Sequence, residues 1–359
     1  MVLVAAVVLM VRELGQGKRP SAAPSDEAQV KKKAPSTSKP PIHSAVEHDE
    51  EDVTKVGVVP PKALPTLAVG GDEEEKVASE SRALVIFEEN AEIDEPTGPE
   101  SLILVSAVGK TDRGLKRRKN EDSHLISRDH SLYVVADGMG GYGGGDVASR
   151  IAVETILRAF EKNEFHVGGS GDGAPKKARE FVSAIESANA IIFAEATRNS
   201  ELHGMGTTVI GARFSERKQR VFIAHVGDSR CYRWRHGELR LLTVDHTLAA
   251  RGVQGPMADH IRRAVGIAPQ VKVDLLVDKP LPGDVYVLCS DGLTKMVDDA
   301  AVAKVLSTHS DLDDAVADLI KAANEAGGKD NTTVILVGVN DPHMMRRDSR
   351  KPESVSMRA

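Results

Sequence analysis

The sequence lacks the features that would tie it to a membrane or to a disulfide framework. Only two cysteines occur in 359 residues, Cys231 and Cys289, each inside an apolar run. This usage predicts two core thiols and suits the reducing cytoplasm. The apolar start, Met1–Val11, is too short to cross a hydrocarbon core, which takes about 20 residues, and it lacks the basic flank and cleavage site of a signal peptide. We therefore expect a cytoplasmic protein, although a longer helix truncated at its start would give the same pattern.

The sequence also lacks the basic footprint of a nucleic-acid-binding protein. Its net charge is −6, and in the first hundred residues 19 Asp and Glu stand against 11 Lys and Arg. That stretch holds ten of the 17 prolines and a single aromatic residue, Phe87. A segment this polar cannot bury enough apolar surface to offset its chain entropy. We expect residues 1–99 to be a disordered acidic, proline-rich segment, residues 100–341 to be a folded domain, and residues 342–359 to be a disordered tail.

Residues 101–340 alternate short apolar strands with longer segments of helical period. The strand candidates are rich in Val and Ile, as sheet interiors require. They are Leu102–Val108, Leu132–Ala136, Thr208–Phe214, Arg220–Val226, Cys231–Arg235, Val271–Val277, Val285–Cys289 and Thr333–Val339. Apolar spacing predicts helices over Val147–Phe160, with Asp146 as its N-cap, and over Phe181–Ala196. A third helix is predicted around Asp311–Ala326, where a Gly-Gly pair ends it. This grouping predicts a layered α+β domain.

Two Asp-Gly pairs, each after a predicted buried strand, are the most informative feature of the chain. They are Asp137-Gly138 and Asp291-Gly292. A strand aims its terminal carboxylate, and the glycine leaves its backbone carbonyl accessible, so each pair offers oxygen ligands to a hard cation such as Mg²⁺ or Mn²⁺. Taken singly, an Asp-Gly pair is more often a turn after a strand. Two such pairs, together with the motifs that accompany them, favour a metal centre.

Four further motifs stand in order around these pairs. They are Arg117 with Asn120-Glu121-Asp122, Gly204-Met205-Gly206-Thr207-Thr208, His225-Val226-Gly227-Asp228-Ser229-Arg230 and Gly328-Lys329-Asp330-Asn331. The ordered set resembles the metal-dependent Ser/Thr protein phosphatases of the type 2C (PPM) family, in their bacterial form. The resemblance covers residues 101–340, and it makes residues 100–341 the catalytic domain. It implies a central β-sandwich of two antiparallel sheets flanked by helix pairs.

The resemblance also implies the cofactors, two Mn²⁺ or Mg²⁺ ions with a third, weaker ion beside them. The matching ligands are Asp137, which bridges the two ions, the Gly138 carbonyl, Asp291, Asp330 and, for the third ion, Asp228. Two such ions supply a bridging hydroxide that attacks phosphorus, and they clamp the phosphate oxygens. Three converging carboxylates would repel one another without cations, which fits a metal site better than a core. Asp228 taken alone is equally well a turn aspartate.

Arg117 matches the phosphate anchor of the family. A planar guanidinium presents paired donors to two phosphate oxygens, which a lysine does not. Its register distinguishes it from Arg118 in the same basic string, because it lies three residues before Asn120. Glu121 and Asp122 are interpreted as partners that orient metal-bound waters. Taken alone, these two residues would more often be solvated surface carboxylates.

Two departures from the family pattern affect what can be expected. Met139 stands where animal and plant members carry a histidine proposed to protonate the leaving group. Bacterial relatives share the methionine, so it leaves activity intact and the general acid unassigned. The segment 246–262, whose counterpart forms a flap beside the active site, is shorter than in bacterial relatives. We expect a more open cleft.

The sequence thus predicts a monomeric hydrolase that removes phosphate from phosphoserine and phosphothreonine in phosphoproteins and so reverses the action of a Ser/Thr protein kinase. Nucleic acid and membrane are not expected among its partners. Two alternatives stay open. One is a catalytically silent phosphatase-like scaffold that binds phosphoproteins, although such relatives typically lose a metal-binding aspartate. The other is a phosphatase dedicated to one phosphoserine partner in a sigma-factor switch.

Overall fold

The computed structural model describes residues 103–140, 144–166 and 174–340, together with the backbone of residues 84–87. All of these belong to one compact unit, Glu80–Ala359. The segments predicted to be disordered, 342–359 and 1–99 apart from residues 84–87, lie outside the described residues, as does the apolar start. No helix in the described part of the chain is long and apolar enough to cross a membrane.

The described residues form twelve strands and five helices. The strands are β1 (Leu84–Phe87), β2 (Leu104–Asp112), β3 (Asp122–Ser127), β4 (Leu132–Met139), β5 (Gly206–Thr207), β6 (Val209–Ser215), β7 (Arg220–Val226), β8 (Arg230–Arg235), β9 (Glu238–Leu241), β10 (Asp274–Asp278), β11 (Val285–Cys289) and β12 (Thr332–Asn340). The helices are α1 (Gly145–Lys162), α2 (Lys176–Arg198), α3 (Asp291–Thr294), α4 (Asp299–Thr308) and α5 (Leu312–Glu325).

The strands form two sheets. The first has the order β1-β10-β7-β6-β4-β3, with the short strand β5 paired to β4, and the second has the order β2-β12-β11-β8-β9. Every pairing is antiparallel except that of the edge strand β1 with β10, which is parallel. The predicted α+β fold with two antiparallel sheets is confirmed. Strand β1 was not predicted, and its residues precede residue 100, the predicted start of the domain. The domain boundary itself stays a prediction.

The alternation of side chains along β4 explains how the core is layered. Leu132 and Val134 belong to the apolar core shared with α1 and α2, whereas Tyr133 and Val135 belong to the core between the two sheets. Successive strand residues point to opposite faces, so one strand serves both cores. A third core lies between the second sheet and helices α3, α4 and α5. The result is a sandwich of two sheets covered by helices on each outer face.

The three predicted helices are present as α1, α2 and α5. Asp311 is the N-cap of α5, and its carboxylate accepts hydrogen bonds from two backbone N–H groups of the first turn. The capping prediction for α1 was wrong: Gly144 is the N-cap and Asp146 lies inside the first turn. Cys231 and Cys289 are buried free thiols, which confirms the prediction of two core cysteines.

Candidate metal centre and active site

The centre of the site is a pair of aspartates on neighbouring strands. Strand β3 begins at Asp122, and the antiparallel register places this residue directly opposite Asp137 of β4. Side chains of directly opposed residues share one face, with Cβ atoms about 4.5–5.5 Å apart. Burial, and then the charge of Asp122, hold the pKa of Asp137 well above its usual range. Two carboxylates placed in this way require a cation or a proton between them.

Three further aspartates approach this pair from separate parts of the chain. Asp228 lies between β7 and β8, Asp291 is the first residue of α3, and Asp330 precedes β12. The negative charges of all three contribute to the raised pKa of Asp137. The fold therefore brings the predicted ligands together although they are far apart in sequence.

Several carboxylate oxygens of the cluster are buried without a partner. Burial raises the pKa of Asp122 to about 6, although the hydroxyls of Ser290 and Thr333 donate to its Oδ2 over 2.8 and 2.6 Å. Burial and the charge of Asp291 raise the pKa of Asp228 to about 6 as well. The Oδ1 atoms of Asp122, Asp228 and Asp291 are buried and accept no hydrogen bond. Because unpartnered buried acceptors cost free energy, these oxygens fit a hard divalent cation.

Two protein cations also contact the cluster. Arg117 donates from Nη2 to Oδ2 of Asp330 over 2.7 Å, and this bond raises the pKa of the guanidinium. Lys295 donates from Nζ to Oδ2 of Asp291. Among the described residues, no three aspartates bring their oxygens within 4.8 Å of one another. The carboxylates face a common region, with two of them turned toward protein cations.

The glycines after Asp137 and Asp291 are required because a side chain at either position would overlap neighbouring backbone, and not because the chain turns there. Gly138 lies within β4, and a Cβ atom there would overlap the carbonyl oxygen of Gly145 and lie 2.5 Å from that of Glu121. Gly292 lies within α3, where a Cβ atom would overlap the carbonyl oxygen of Asn331. In neither place does Asp-Gly form a simple turn after a strand.

The Gly-Met-Gly-Thr-Thr motif fixes the backbone of Asp137. The Thr208 N–H and the Thr207 hydroxyl both donate to the Asp137 carbonyl over 2.8 Å. The Thr208 hydroxyl accepts the Asp137 N–H over 3.2 Å and bonds to the Ser229 hydroxyl over 2.7 Å. Since Ser229 directly follows Asp228, the motif also ties the central strand to the loop that carries that aspartate.

Asn331 is the principal residue that sequence reasoning missed. Its Nδ2 donates to the carbonyls of Arg113 and Lys119 over 2.8 and 2.9 Å. Its Oδ1 accepts the N–H of Glu121 over 2.8 Å. These bonds hold the loop that carries Arg117 against the start of β12. The sequence feature that could have indicated a role for Asn331 is its position directly after the predicted ligand Asp330. Lys295 was missed too, and its signal was its place one helical turn after a predicted metal ligand.

Glu121 and Asp146 form the rim of the site. Burial raises the pKa of the half-buried Glu121, the charge of Arg117 opposes that shift, and the charge of Asp146 adds to it. Lys119 places its Nζ 3.7 Å from Oδ2 of Asp146. Asp146, which does not cap α1, is thus a further acidic residue at the site. Its signal in the sequence was an aspartate directly after a run of glycines.

A second cluster of candidate ligands adjoins the Asp228 loop. In the part of the chain that the structure describes, His225, His246 and Asp274 are the residues whose ligand atoms all lie within 4.8 Å. His246 Nδ1 accepts the Gly227 N–H over 3.0 Å, and its Nε2 lies 3.1 Å from Oδ2 of Asp274. The two imidazoles are stacked, with centroids 4.5 Å apart and planes 23° from parallel. Through these two bonds His246 joins Asp274 of β10 to the backbone of Gly227, directly before Asp228.

A sequence model of the family described as protein phosphatase 2C matches residues 115–331. The match covers more than half of the chain and includes Arg117 and all the aspartates of the central cluster. The fold and the site thus define a hydrolase of the protein phosphatase class. The chain belongs to the protein phosphatase 2C family and is a serine/threonine phosphatase, as its motifs predicted.

Relatives support the same conclusion. The serine/threonine phosphatase stp of Listeria innocua is 34% identical over 245 residues, which is 64% of this chain and 94% of that protein. The structure of the serine/threonine phosphatase Stp1 from Staphylococcus aureus is 29% identical in sequence and superposes with a TM-score of 0.59. The match covers 68% of this chain and 99% of Stp1. The catalytic domain of the serine/threonine phosphatase PstP, solved in complex with two manganese ions, is 32% identical, with a TM-score of 0.57. The match covers 67% of this chain and 100% of that domain.

Proposed function

We propose that this chain hydrolyses phosphoserine and phosphothreonine in phosphoproteins with two Mn²⁺ or Mg²⁺ ions bound at the aspartate cluster. The observation that carries the proposal is the direct opposition of Asp122 and Asp137 on neighbouring strands. Asp228, Asp291 and Asp330 are near enough for their charges to contribute, after burial and Asp122, to the raised pKa of Asp137. A cluster that resists ionisation on its own becomes stable as carboxylates when divalent cations bind. The unpartnered oxygens of Asp228 and Asp291 supply hard donors for those ions.

The residues divide into ligands and substrate-binding groups. The residues that would hold the ions are Asp137, the Gly138 carbonyl, Asp291, Asp330 and, for a third, weaker ion, Asp228. When bound, the ions supply an activated water and compensate the charge of the phosphate oxygens. Glu121 and Asp122 would orient the waters of such a centre. Two hydroxyl donors fix the carboxylate of Asp122.

Arg117 is proposed to bind the phosphate of the substrate. Its side chain is 48% exposed, and its Nη2 lies 2.7 Å from Oδ2 of a proposed ligand, Asp330, so it stands at the open edge of the metal centre. Two of its N–H groups can donate to two phosphate oxygens at once. Met139 at the end of β4 has no proton to give, so the leaving alkoxide takes its proton from water or from another residue.

We also propose the cellular setting and the domain limits. The chain is proposed to be a monomer that reverses Ser/Thr kinase signalling in the cytoplasm. The two buried free thiols suit such a reducing compartment. Related bacterial proteins that carry the name serine/threonine phosphatase support phosphoproteins as the substrate class. Residues 100–341 are proposed as the catalytic domain, with the segments 1–99 and 342–359 dispensable for catalysis and available for regulation or docking.

Turnover of a phosphothreonine peptide and of a small aryl phosphate, with Mn²⁺ or with EDTA, tests the proposal. We expect hydrolysis only with the metal, and we expect Asp137→Asn and Asp291→Asn to lower kcat by at least about a hundredfold, because each removes a ligand charge from a two-metal site. Asp129→Asn, at an exposed aspartate of the β3–β4 turn, is the matched control. Retention of more than about a tenth of the wild-type rate at saturating Mn²⁺ would contradict the ligand assignment. A folded wild-type protein without turnover would instead be a scaffold.

A further inference from the structure

A basic pocket lies beside the loop that carries Asp228. Its volume is about 270 Å³. Four cationic side chains line it, those of Arg251, Arg262, Arg263 and Lys272. Two carboxylates, Asp245 and Asp274, line it as well. None of these residues belongs to the proposed metal centre or to the phosphate anchor.

The carboxylates of the pocket are already neutralised, whereas three of its cations are not. Arg230 donates to both carboxylate oxygens of Asp245, with 2.7 Å between Nη2 and Oδ2. Arg263 donates to Oδ1 of Asp274 over 2.6 Å. The other three cations have exposed side chains that make no ion pair or hydrogen bond with the rest of the described chain; they are Arg251, Arg262 and Lys272. The pocket therefore presents unbalanced positive charge to an incoming group.

Hydrogen bonds connect this pocket to the catalytic centre. His246 in its wall donates its N–H to the Gly227 carbonyl over 2.9 Å and accepts the Gly227 N–H at Nδ1 over 3.0 Å. Gly227 directly precedes Asp228 of the aspartate cluster. Two residues after Arg263 the chain pairs with Thr207, whose hydroxyl bonds to the backbone of the central aspartate. The wall of the pocket is therefore bonded directly to the loop that carries Asp228.

Exposed apolar side chains are concentrated in the stretch of chain that also supplies most of the pocket lining. Of the six large apolar residues exposed in the described part of the chain, five fall within residues 241–267, and they are Leu241, Val244, Val253, Met257 and Ile267. Val244, which is 63% exposed, lines the pocket itself. Apolar surface beside unpaired cations suits a polypeptide that carries an anionic group better than it suits a free ion.

We propose that this pocket binds a second phosphoryl group of the same polypeptide substrate, so that the enzyme prefers segments phosphorylated at two Ser or Thr residues. The inference rests on the proposed function, since the first phosphoryl group must occupy the metal centre. A phosphoryl dianion has three strong acceptor oxygens, which match guanidinium and ammonium donors. An extended chain spans about 3.3–3.6 Å per residue, so a short spacing between the two phosphoryl groups reaches both sites. Binding at the second site is then intramolecular, which raises affinity.

The test compares kcat/KM for a series of peptides of one sequence. One peptide carries a single phosphothreonine, and the others carry a second phosphothreonine placed at successive positions on either side. A parallel set has glutamate at the second position. The enzyme is the full chain with Mn²⁺, as wild type, as the pocket variant Arg262→Ala/Lys272→Ala, and as the charge-matched control Arg198→Ala/Lys304→Ala, which alters exposed cations outside the pocket.

For the wild type and the control we expect kcat/KM to be about tenfold higher for one spacing of the doubly phosphorylated peptides than for the singly phosphorylated peptide. This is the contribution of about one charge-assisted hydrogen bond. In the pocket variant that preference falls to about one, while the rates on the singly phosphorylated peptide and on a small aryl phosphate stay unchanged. An unaltered preference in the pocket variant would overturn the proposal, and so would an equal preference for the glutamate peptides. If the wild type hydrolysed neither the phosphopeptides nor the small aryl phosphate, the proposed function itself would be contradicted, so the two failures are distinguishable.

Discussion

The raised pKa values of the buried aspartates make the metal-free protein sensitive to pH. In unfolded chains an aspartate has a pKa near 3.9, whereas Asp122 and Asp228 have folded-state values of about 6. The folded state therefore holds protons that the unfolded state has already released, and its stability falls as the pH rises from about 4 to about 6. For the buried Asp122, the difference is on the order of 3 kcal/mol.

We expect the Tm of the protein in EDTA to decrease across this pH window. In an Asp122→Asn variant the decrease should be smaller, because one of the titrating carboxylates is absent. Mn²⁺ should reverse the trend, since the ligands bind as carboxylates and metal binding releases protons. Calorimetric titration in buffers of different ionisation enthalpy measures that release. An equal slope in both proteins, or metal binding without proton release near pH 6, would show that these carboxylates do not carry the effect.

Arg117 and Arg118 provide a matched pair for the phosphate anchor. Arg117 bonds to Asp330 at the edge of the metal centre, whereas Arg118 is exposed and outside that contact. We expect Arg117→Ala to raise KM and to lower kcat/KM for phosphopeptides by about 1.5–3 kcal/mol in transition-state binding, the worth of charge-assisted hydrogen bonds. Arg118→Ala should change kcat/KM little. Steady-state kinetics on the two variants side by side would give equal losses only if the register of the motif were wrong.

The side chains that could be assigned to the site from the sequence are charged ones that belong to short motifs, several of them at a strand end or beside a glycine. Asp137, Asp291 and Asp330 each stand next to a strand end or a glycine, and the fold brings them near one another. Asn331 and Asp146 could not be assigned in this way. The partners of Asn331 are backbone groups of a loop more than two hundred positions away, and a motif does not specify such contacts. Asp146 was wrongly assigned because helix caps favour the same residue type.

At the scale of elements, long periodic segments were predictable and short half-exposed ones were not. The apolar strands at Arg220–Val226 and Val285–Cys289 were predicted with the bounds that the structure gives them. Strands β3 and β9 were missed, because both lie at sheet edges and carry polar residues on partly exposed faces. Strand β10 begins only at Asp274, three residues after the predicted start. Edge strands need less apolar surface, so their pattern is weaker.

The packing of β4 against α1 depends on the absence of a side chain at Gly138. Its Cβ position overlaps the Gly145 carbonyl, so Gly138→Ala must separate the end of the strand from the start of the helix. We expect loss of Mn²⁺-dependent activity and a fall of at least about 1–3 kcal/mol in the free energy of unfolding, the usual cost of overpacking. Gly237→Ala is the control, since nothing lies within 4 Å of its Cβ position and only its φ of +85° opposes alanine, at a cost of about 1–2 kcal/mol.

Activity assays and denaturant unfolding of the two glycine variants separate steric overlap from backbone strain. The expectation for Gly138 fails if its variant binds Mn²⁺ and turns over substrate as the Gly237 variant does. In that case the strand end and the helix start would have room to move apart without disturbing the aspartates.

At the scale of the whole molecule, strand β1 distinguishes two truncations that would otherwise look alike. It pairs with β10 from Leu84 to Phe87, inside the segment proposed as dispensable for catalysis. We expect deletion of residues 1–79 to leave both kcat/KM on a small aryl phosphate and the Tm unchanged. Deletion of residues 1–99 should leave kcat/KM within about tenfold but lower the Tm by a few degrees, because the edge of β10 loses its partner; in a domain of this size about 1 kcal/mol shifts the Tm by roughly 2–4 °C.

Kinetic and thermal measurements on the two truncated proteins check this expectation. A larger loss of kcat/KM in the shorter deletion would show that residues before Glu80 take part in catalysis. An unchanged Tm in the longer deletion would show that β1 does not stabilise the sheet.

The pairing of β2 with β12 has a consequence for how the enzyme is made. These strands pair over nine positions, from Leu104 opposite Asn340 to Asp112 opposite Thr332. Because β12 is the last of the twelve strands to be synthesised, β2 cannot pair with it until residues 332–340 have been added. Asp330 follows Asp137 by 193 residues. A ribosome that adds about 5–20 residues per second needs roughly 10–40 s to cover that distance. During that time the nascent chain carries Arg117 and Asp137 without Asp330, so under the proposed ligand set it lacks part of the metal centre and is expected to be inactive.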